Sequence, residues 1–453
     1  MKFSGAWGAS ALALVLAMLP AAAQAETLRQ ALESAYTNNP NIMSALLSVK
    51  SAAEDVALAK AGLRPQISAS ANLSSSWTVT EGTSTVTDPK LQLGLSYGQT
   101  LFDNFQTEAQ VEGARALTQV SSFTLQNETQ NVLLSAVESY MNVLRDQQLV
   151  QLRRESVSFY EAQLDSSDNR LRLGEGTRID VSQSQTRLAA ARASYEAAVA
   201  SLQASQAGYE RWIGHKPGSL SSDFRFGGVL PKSLEEAMVK AEADHPALLS
   251  ARAAIRAAQA NTDAAQAAFG PSLSMSASVC GYGCFNNPTQ GGFSGSAGFT
   301  LSVPIYRGGA LGATVRKANI NQIKSEVDAL AARDQIREAV VSSWATLQNA
   351  SAQIEAANSA VSSGQLVVEG TVQERDVGQS TTLDVLNAQA ELISSRETLI
   401  SATSSRVVAS FALVAATGQL NPGSLGLNVE VKSADGYIAT VEDVWAELRA
   451  VDE

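Results

Sequence analysis

Two aspartates occupy equivalent places in the chain and are its best candidates for chemistry. Asp180 follows Gly174 by six residues, and Asp384 follows Gly378 by six residues, in segments 204 positions apart. Such a glycine can adopt the positive φ that ends a helix. A carboxylate in the first turn of the next helix is favourable against the helix dipole, and it can also attract cations. The spacing predicts two helical turns, with capping and cation attraction as open roles for the carboxylates.

The remaining reactive side chains do not support catalysis. His215 and His245 lie in connecting or helix-start segments without a nucleophile pattern or metal-ligand spacing. Cys280 and Cys284 enclose Gly-Tyr-Gly, and a local disulfide is the favoured interpretation in an exported chain. Two thiols without a nearby histidine make a poor metal site. The sequence therefore predicts a protein that is not an enzyme and has no cofactor or resident metal.

Composition favours an elongated helical protein. Apolar residues make up 45% of the chain, but only 6% is aromatic, and Ala and Ser dominate its middle. The net charge of -11 and the lack of a basic stripe argue against nucleic acid as a partner.

The first 25 residues have the features of a cleaved export signal. Lys2 supplies the positive start, 11–19 is a short apolar core, and 23–25 reads Ala-Gln-Ala. The mature chain is then expected to begin at Glu26. The apolar core is too short to span a bilayer, which leaves a periplasmic or secreted soluble protein, or a β-barrel.

An internal repeat organises the rest of the chain. Leu28 and Pro40 recur 206 positions later as Leu234 and Pro246, and the turn residues recur at 204. Each copy predicts a helix, a β-hairpin, a long helix, a turn and a shorter helix. The predicted parts are a first copy at 26–214 (hairpin about 66–102, turn 174–180), a linker at 215–233, a second copy at 234–418 (hairpin about 272–306, turn 378–384) and a C-terminal segment at 419–453.

The long helices carry heptad seams. One runs in steps of four and three from Ile336 to Val368, and the other includes Val132, Ala136, Ser139, Val143, Val150, Val157 and Leu164. About 65 helical residues extend about 100 Å, roughly twice the length of the helices before and after them. Two short helices stacked end to end would match one long helix. The sequence thus predicts a rod with hairpins at one end and glycine turns at the other.

The hairpin strands alternate apolar and small polar side chains, as in a barrel wall between lipid and water. A half-buried soluble sheet would have the same pattern. Four strands cannot close a barrel, and an open edge in lipid is costly. Three chains would supply twelve strands, enough for an open lumen.

The chain resembles the TolC family of outer-membrane efflux and secretion ducts. The resemblance rests on the export signal, the duplicated plan, Val303-Pro304-Ile305-Tyr306-Arg307-Gly308-Gly309, and Val377-Gly378 with Asp384-Val385-Leu386. It covers about 27–420. It implies a mainly α fold with a β-barrel portion, in which a homotrimer forms a twelve-stranded barrel in outer-membrane lipid and a periplasmic coiled-coil tunnel. It also implies that a periplasmic adaptor protein and an inner-membrane efflux or ABC transporter dock at the turns of Gly174 and Gly378.

The resemblance further implies a closed tunnel entrance with acidic rings. Asp384 matches the first ring, and Asp180 matches its partner in the other copy. Asn387 stands where the family's best-known member has a second Asp, and Ser380 stands where it has an Arg of the lock. Arg375 is the nearest candidate for the missing cation. The C-terminal segment is expected to lie in a belt around the middle of the tunnel.

We therefore predict a subunit of a passive trimeric conduit for efflux or type I secretion. The alternative is a structural or adhesive coiled-coil protein whose hairpins form a small soluble domain.

Overall fold

The computed structural model describes residues 25–79, 81–82, 86–222, 228–284 and 287–445, so most of the predicted signal lies outside the described residues. Helix, hairpin, long helix, turn and helix occur twice, as predicted. The elements are α1 (Leu28–Asn38), α2 (Pro40–Lys60), β1 (Gln66–Thr78), β2 (Val86–Phe102), α3 (Gln106–Leu173), α4 (Arg178–Ile213), α5 (Leu234–Asp244), α6 (Pro246–Ala267), β3 (Ser272–Cys284), β4 (Asn287–Ser302), α7 (Ala310–Asp376), α8 (Thr382–Ala416) and α9 (Asp435–Val441).

Each long helix supports two shorter helices stacked end to end. The 68 residues of α3 extend about 100 Å, and α4 and α2 lie along its two halves. At their junction Gly214 ends α4 with φ 98°, and a Cβ there would lie 3.4 Å from Asn38 at the end of α1. In the second repeat Gly418 ends α8 with φ 76°, where a Cβ would lie 2.8 Å from the Cα of His245. The glycines thus permit helix ends to meet closely halfway along the rod.

The predicted heptad seams of α3 and α7 are covered by other helices of the same protomer. In the second half of α3, however, the buried positions are shifted from the predicted ones. In α7 the seam positions are buried or partly buried, and the series continues to the buried Arg375. In α3 the predicted residues from Val132 to Val143 are buried, whereas Val150, Val157 and Leu164 are only partly covered. The buried positions in that half are Leu152, Ser156, Tyr160, Gln163 and Ser167. The two serines among them are small enough to allow close approach of the helices.

The largest core in the described chain lies at the middle of the rod, and Glu26, the predicted first residue of the mature chain, is hydrogen-bonded to it. Tyr209 donates a hydrogen bond to Glu26 Oε2 at 2.8 Å, and Tyr140 donates to the Glu26 carbonyl oxygen at 2.8 Å. Both tyrosine rings are fully buried. Burial raises the pKa of Tyr140 to about 12, and burial and the neighbouring carboxylate raise the pKa of Tyr209. The predicted start of the mature chain is therefore fixed against the core.

The four strands form one antiparallel sheet in the order β1-β2-β3-β4. Its pairing places apolar side chains on one face and small polar side chains on the other. The apolar face includes Ile67, Leu73, Leu93, Leu95, Val279, Phe293, Phe299 and Leu301, all exposed within the protomer. The edges β1 and β4 are unpaired with each other in this sheet. An exposed apolar face and two open edges are what a barrel segment requires.

The predicted disulfide is corrected by the structure. Cys280 and Cys284 both lie in β3, where four residues of extended backbone separate Cα atoms by about 13 Å. A disulfide spans roughly half that distance. Cys280 is a free thiol, and its sulfur accepts a hydrogen bond from Gln92 Nε2 at 2.9 Å.

The C-terminal segment is buried in the mid-rod core, where the belt is expected, only as far as Ala434. It starts at the middle of the rod, where the Lys432 backbone N–H donates to Tyr36 Oη at 2.7 Å. It then follows α2, with Tyr437 donating to Glu54 at 2.7 Å, and it ends beside Arg64, which donates to the Val444 carbonyl at 2.8 Å. Hydrogen bonds and ion pairs with α2 thus carry residues 435–445 away from the middle and towards the sheet.

One helix in the described chain, α8, is long and apolar enough to cross a membrane. It packs on α7 and α3, and 44% of its most apolar window is buried.

Candidate functional site at the helical turns

The two glycine turns have the same local structure. Gly174 and Gly378 both have φ 80°. The next N–H in each case bonds five residues back, from Glu175 to Arg170 at 2.9 Å and from Gln379 to Glu374 at 2.8 Å. This is the hydrogen bond that terminates a helix at a left-handed glycine. The two turns therefore present matching tips at the end of the rod opposite the sheet.

Both predicted aspartates cap the helices that follow the turns. Asp180 accepts from the Thr177 backbone N–H at 3.0 Å, and Asp384 accepts from the Thr381 backbone N–H at 2.9 Å. The threonine hydroxyl of each pair accepts from the aspartate N–H at 3.2 Å. Capping, one of the two roles left open by the sequence, is present at both sites.

Asp384 has an additional hydroxyl neighbour. Ser380 Oγ donates to its Oδ2 at 3.3 Å. The Thr381 hydroxyl, then the Thr381 N–H, and more weakly Ser380 hold the pKa of Asp384 below its ordinary value. The side chain is exposed, so its negative charge faces solvent at the tip.

Arg375 does not take the position of a cation beside Asp384. It is 8% exposed on the α7 seam, and its Nη1 donates to Gln163 Oε1 of α3 at 2.8 Å. Its Nη2 donates to the adjacent Asp376 at 2.7 Å. Arg375 therefore joins the long helices of the two repeats near their tips.

Asn387 also contacts the other repeat. Its Oδ1 accepts from Arg187 Nη2 of α4 at 2.9 Å. Neither Arg187 nor Gln163 was predicted from the sequence. Arg187 lies two helical turns after Asp180, as expected for a residue on the same helix face, and Gln163 immediately precedes the predicted seam residue Leu164. The sequence positions of Arg187 and Gln163 are the only features that could have indicated a role for them, and neither position identifies the residue that each one contacts.

Two crossed ion pairs connect the repeats above the tips. Arg153 of α3 pairs with Glu397 of α8, and Arg396 of α8 lies 3.8 Å from Glu155 of α3. Three sets of contacts therefore join the tip of the second repeat to the first repeat: the Arg375–Gln163 hydrogen bond, the Arg187–Asn387 hydrogen bond and these two ion pairs. Among the described residues, no hydrogen bond or ion pair joins Asp180 to Asp384.

Apolar side chains remain exposed at both edges of the protomer. Near the sheet α2 packs on α3, α3 on α6, and α6 on α7, so α2 and α7 are the edge helices, like β1 and β4 in the sheet. The edge helix α7 exposes Ile320, Ile323, Val327 and Leu330, and α2 exposes Met43, Leu47 and Leu58. The α7 set has heptad spacing, which is typical of a helix that packs against another.

A sequence model described as outer membrane efflux protein matches residues 17–215 and 237–419. The chain belongs to this family. The outer membrane efflux protein BepC of Brucella suis is 36% identical over 436 residues, which cover 95% of this chain and 94% of that protein. The alkaline protease secretion protein AprF of Pseudomonas aeruginosa is 28% identical and covers 81% of this chain and 79% of its own length. Both this family and these relatives support the channel interpretation over the adhesive alternative.

Solved structures of the family have the same fold. The Campylobacter jejuni CmeC outer membrane channel superposes with a TM-score of 0.76, at 14% identity, over 92% of this chain and 89% of that chain. CusC superposes with a TM-score of 0.73, at 21% identity, over 86% and 91%. The fold is that of the TolC-type channels, a barrel continued by a helical tunnel, and the predicted resemblance is confirmed. This efflux-family chain is an outer membrane protein with a periplasmic helical extension, and its matched relatives are channel proteins rather than enzymes.

Proposed function

We propose that three copies of this chain form a continuous conduit from the periplasm through the outer membrane. The observation that carries the proposal is the pair of open edges. Strand β1 and the apolar stripe of α2 lie on one side of the protomer, and strand β4 and the apolar stripe of α7 lie on the other side. A neighbouring copy therefore covers a strand edge and a helix stripe at once. Three copies give twelve strands, which leave an open lumen. The signal is removed before Glu26.

The turns close the periplasmic entrance of this conduit. The Arg375–Gln163 and Arg187–Asn387 contacts hold the tip of the second repeat against the first, and Ser380 orients the Asp384 carboxylate. Three copies of Asp384 form an acidic ring, with Asp180 as the corresponding residue of the first repeat. A ring of carboxylates attracts cations and hinders anions.

A periplasmic adaptor docks on the tips at Gly174 and Gly378, and an inner-membrane transporter supplies the energy. The conduit needs no cofactor and no catalytic residue, because it only provides a water-filled path. Its cargo is a small molecule in efflux or a protein in type I secretion. The name of BepC describes efflux, and the name of AprF describes secretion of an alkaline protease.

A substitution series at Asp384 separates capping from cation attraction. In α1 of this chain the capping position is taken by Gln30, which accepts from the Thr27 N–H at 2.9 Å. Asp384→Gln therefore keeps a side chain that can cap but removes the charge. Asp384→Glu keeps both properties, and Asp384→Ala removes both.

The assay is conductance of purified trimers in planar bilayers with and without a divalent cation. We expect Asp384→Gln and Asp384→Ala to weaken divalent block, with Asp384→Glu close to wild type. The heat-dissociation temperature of the trimer reports capping. Asp384→Ala is expected to lower this temperature most, and Asp384→Gln to lower it less, because an uncharged cap makes a weaker hydrogen bond. Wild-type block in Asp384→Gln would exclude the ring, and the absence of any conductance in wild-type trimers would exclude the conduit.

A further inference from the structure

The segment that follows α9 is fastened to the helices directly below the sheet. Lys60 lies 3.0 Å from Glu442 and 3.0 Å from Asp443, and Arg115 at the start of α3 also pairs with Glu442. The hydrogen bond from Arg115 raises its own pKa, and the same bond and that from Lys60 lower the pKa of Glu442. Residues 442–445 are thus held in a defined place by two cations from different helices.

The end of this segment presents an aromatic ring on a cation. The Trp445 ring lies 4.7 Å from the Arg64 guanidinium carbon and is 67% exposed. Arg64 donates to the Val444 carbonyl at 2.8 Å and to the Glu442 carbonyl at 3.4 Å. Carbonyl oxygens carry no net charge, so these hydrogen bonds leave the positive charge of Arg64 available to an anion.

Arg64 and Trp445 lie at the level where the apolar face of the sheet begins. Arg64 precedes β1 by two residues, and Ile67 is the first apolar residue on that face, 69% exposed. Tyr97 pairs with Ile67 across the strands. Its hydroxyl donates to Gln99 Oε1 at 2.6 Å, and Gln99 Nε2 donates to the Leu63 carbonyl at 3.2 Å. A tyrosine whose hydroxyl is directed to the helices below marks the boundary between the lipid-facing surface and water.

Two phenylalanines, one at the end of β2 and one immediately before α3, lie at the same boundary. A register shift at the end of β2 places Phe102 opposite Leu273 of the apolar face. Phe105 is 66% exposed and packs edge-to-face on Phe102 with ring centroids 5.9 Å apart. Phe105 has a left-handed φ of 67°, where the second repeat has Gly309 at φ 82°. A bulky residue is unfavourable in this conformation, so the exposed ring is retained against a local conformational cost.

We propose that Trp445 and Arg64 form a binding surface for phospholipids of the periplasmic leaflet, with the indole among the headgroups and upper acyl chains and the guanidinium beside a phosphate. Tryptophan and arginine are both suited to this layer, because each combines an apolar body with a polar tip. The surface continues the lipid-facing side of the barrel. The C-terminal segment thereby anchors the top of the helical tunnel to the membrane that the barrel spans.

Lipid quenching of tryptophan fluorescence tests this placement directly. The mature chain has Trp77, Trp212, Trp344 and Trp445, so Trp77→Phe, Trp212→Phe and Trp344→Phe together leave Trp445 alone. A matched chain that keeps only Trp212, in the core at mid-rod, is the control. Trimers of each are reconstituted in vesicles of phosphatidylethanolamine that contain lipids brominated either near the headgroup or near the end of the acyl chain.

We expect headgroup-proximal bromine to reduce Trp445 emission about 1.5-fold or more, with weaker quenching by the deep bromine and almost none for Trp212. Equal quenching of Trp445 and Trp212 would overturn the proposal, and so would stronger quenching of Trp445 by the deep bromine.

If the triple variant does not form trimers, Trp445→Phe is made in the otherwise native chain. The emission that this substitution removes, and the quenching of that emission by each brominated lipid, then give the same comparison. Arg64→Gln, which removes the charge, should reduce the shallow quenching, and an unchanged profile would exclude Arg64 from the surface. These readouts do not depend on conductance.

Discussion

The Arg375–Gln163 hydrogen bond provides the sharpest test of how the entrance is held closed. Both side chains are buried, and the bond of 2.8 Å joins a cation to an amide oxygen. Hydrogen bonds to charged groups contribute about 1.5–3 kcal/mol. The ion pair of Arg375 with Asp376 is a smaller effect, because the Asp376 side chain is 60% exposed and such pairs contribute about 0–1 kcal/mol.

The informative perturbation is a double-mutant cycle in which methionine preserves side-chain volume. Arg375→Met leaves Gln163 buried without this donor, and Gln163→Met leaves the guanidinium without its buried acceptor. A loss of about 2 kcal/mol per protomer corresponds to roughly a thirty-fold shift towards the open state. Replacing both partners by apolar groups removes the unsatisfied atom. The double variant should therefore lie closer to wild type than the sum of the two single variants.

Open probability of single trimers in planar bilayers measures this shift, with Asp376→Asn as the control for the exposed ion pair. We expect both single variants to open more often and Asp376→Asn to change little. Additive effects in the double variant, or wild-type open probability in Arg375→Met, would refute the assignment of this bond to the closed state.

Three further outcomes follow from the contacts described. Since hydrogen bonding lowers the pKa of Asp384, its stabilising effect should be complete above about pH 4, the unfolded value, and be lost as pH falls through the lower folded pKa. The heat-dissociation midpoint of wild type should accordingly approach that of Asp384→Gln, which caps without a charge, only in strong acid, and a gap between the two that is independent of pH would contradict this. Tyr209→Phe removes the 2.8 Å hydrogen bond to Glu26 and should destabilise the chain by about 1.5–3 kcal/mol, measured by denaturant unfolding against Tyr195→Phe at a partly exposed site on α4. Gly418→Ala should lower the yield of trimers or their dissociation temperature, because a Cβ would lie 2.8 Å from His245 Cα at a φ of 76°, while Gly208→Ala, where no atom lies within 4 Å, should be neutral or raise stability by about 1 kcal/mol; a harmless Gly418→Ala would disprove the close junction.

The duplicated architecture could be predicted because it follows from periodicity. Heptad spacing, strand alternation, paired glycines and the repeat distances each identify an element by its local pattern. Those patterns predict the helices, both hairpins and both turns. The aspartate caps were also predictable, since a threonine three residues before each aspartate is a known helix-start signal.

Contacts between distant segments were not predictable from such patterns. Arg375 is a charged residue, so composition suggests exposure, yet it lies on the seam and is buried because Gln163 offers it an acceptor. Residues 435–445 were assigned to the middle of the tunnel, but Lys60, Arg64 and Arg115 bind them near the sheet. The predicted disulfide requires the chain to turn between Cys280 and Cys284. The structure does not contain it because β3 stays extended between the two residues. In each case the deciding partner or backbone shape lies outside the local sequence pattern.

The uneven burial of the two long helices connects assembly with stability. In α3 buried residues occur along the whole helix, whereas in the described α7 they begin only at Ile336. The exposed stripe of Ile320, Ile323, Val327 and Leu330 on α7 is covered only when another copy packs on it. Fully burying an aliphatic side chain of this size contributes about 1.5–3 kcal/mol, so closing three such edges contributes a large share of the stability of a domain. The folded unit is therefore the trimer, and its stability depends on protomer concentration. Mutations at the entrance should consequently be compared by trimer dissociation and conductance, because a monomer lacks both the closed barrel and the cover over the exposed stripe of α7.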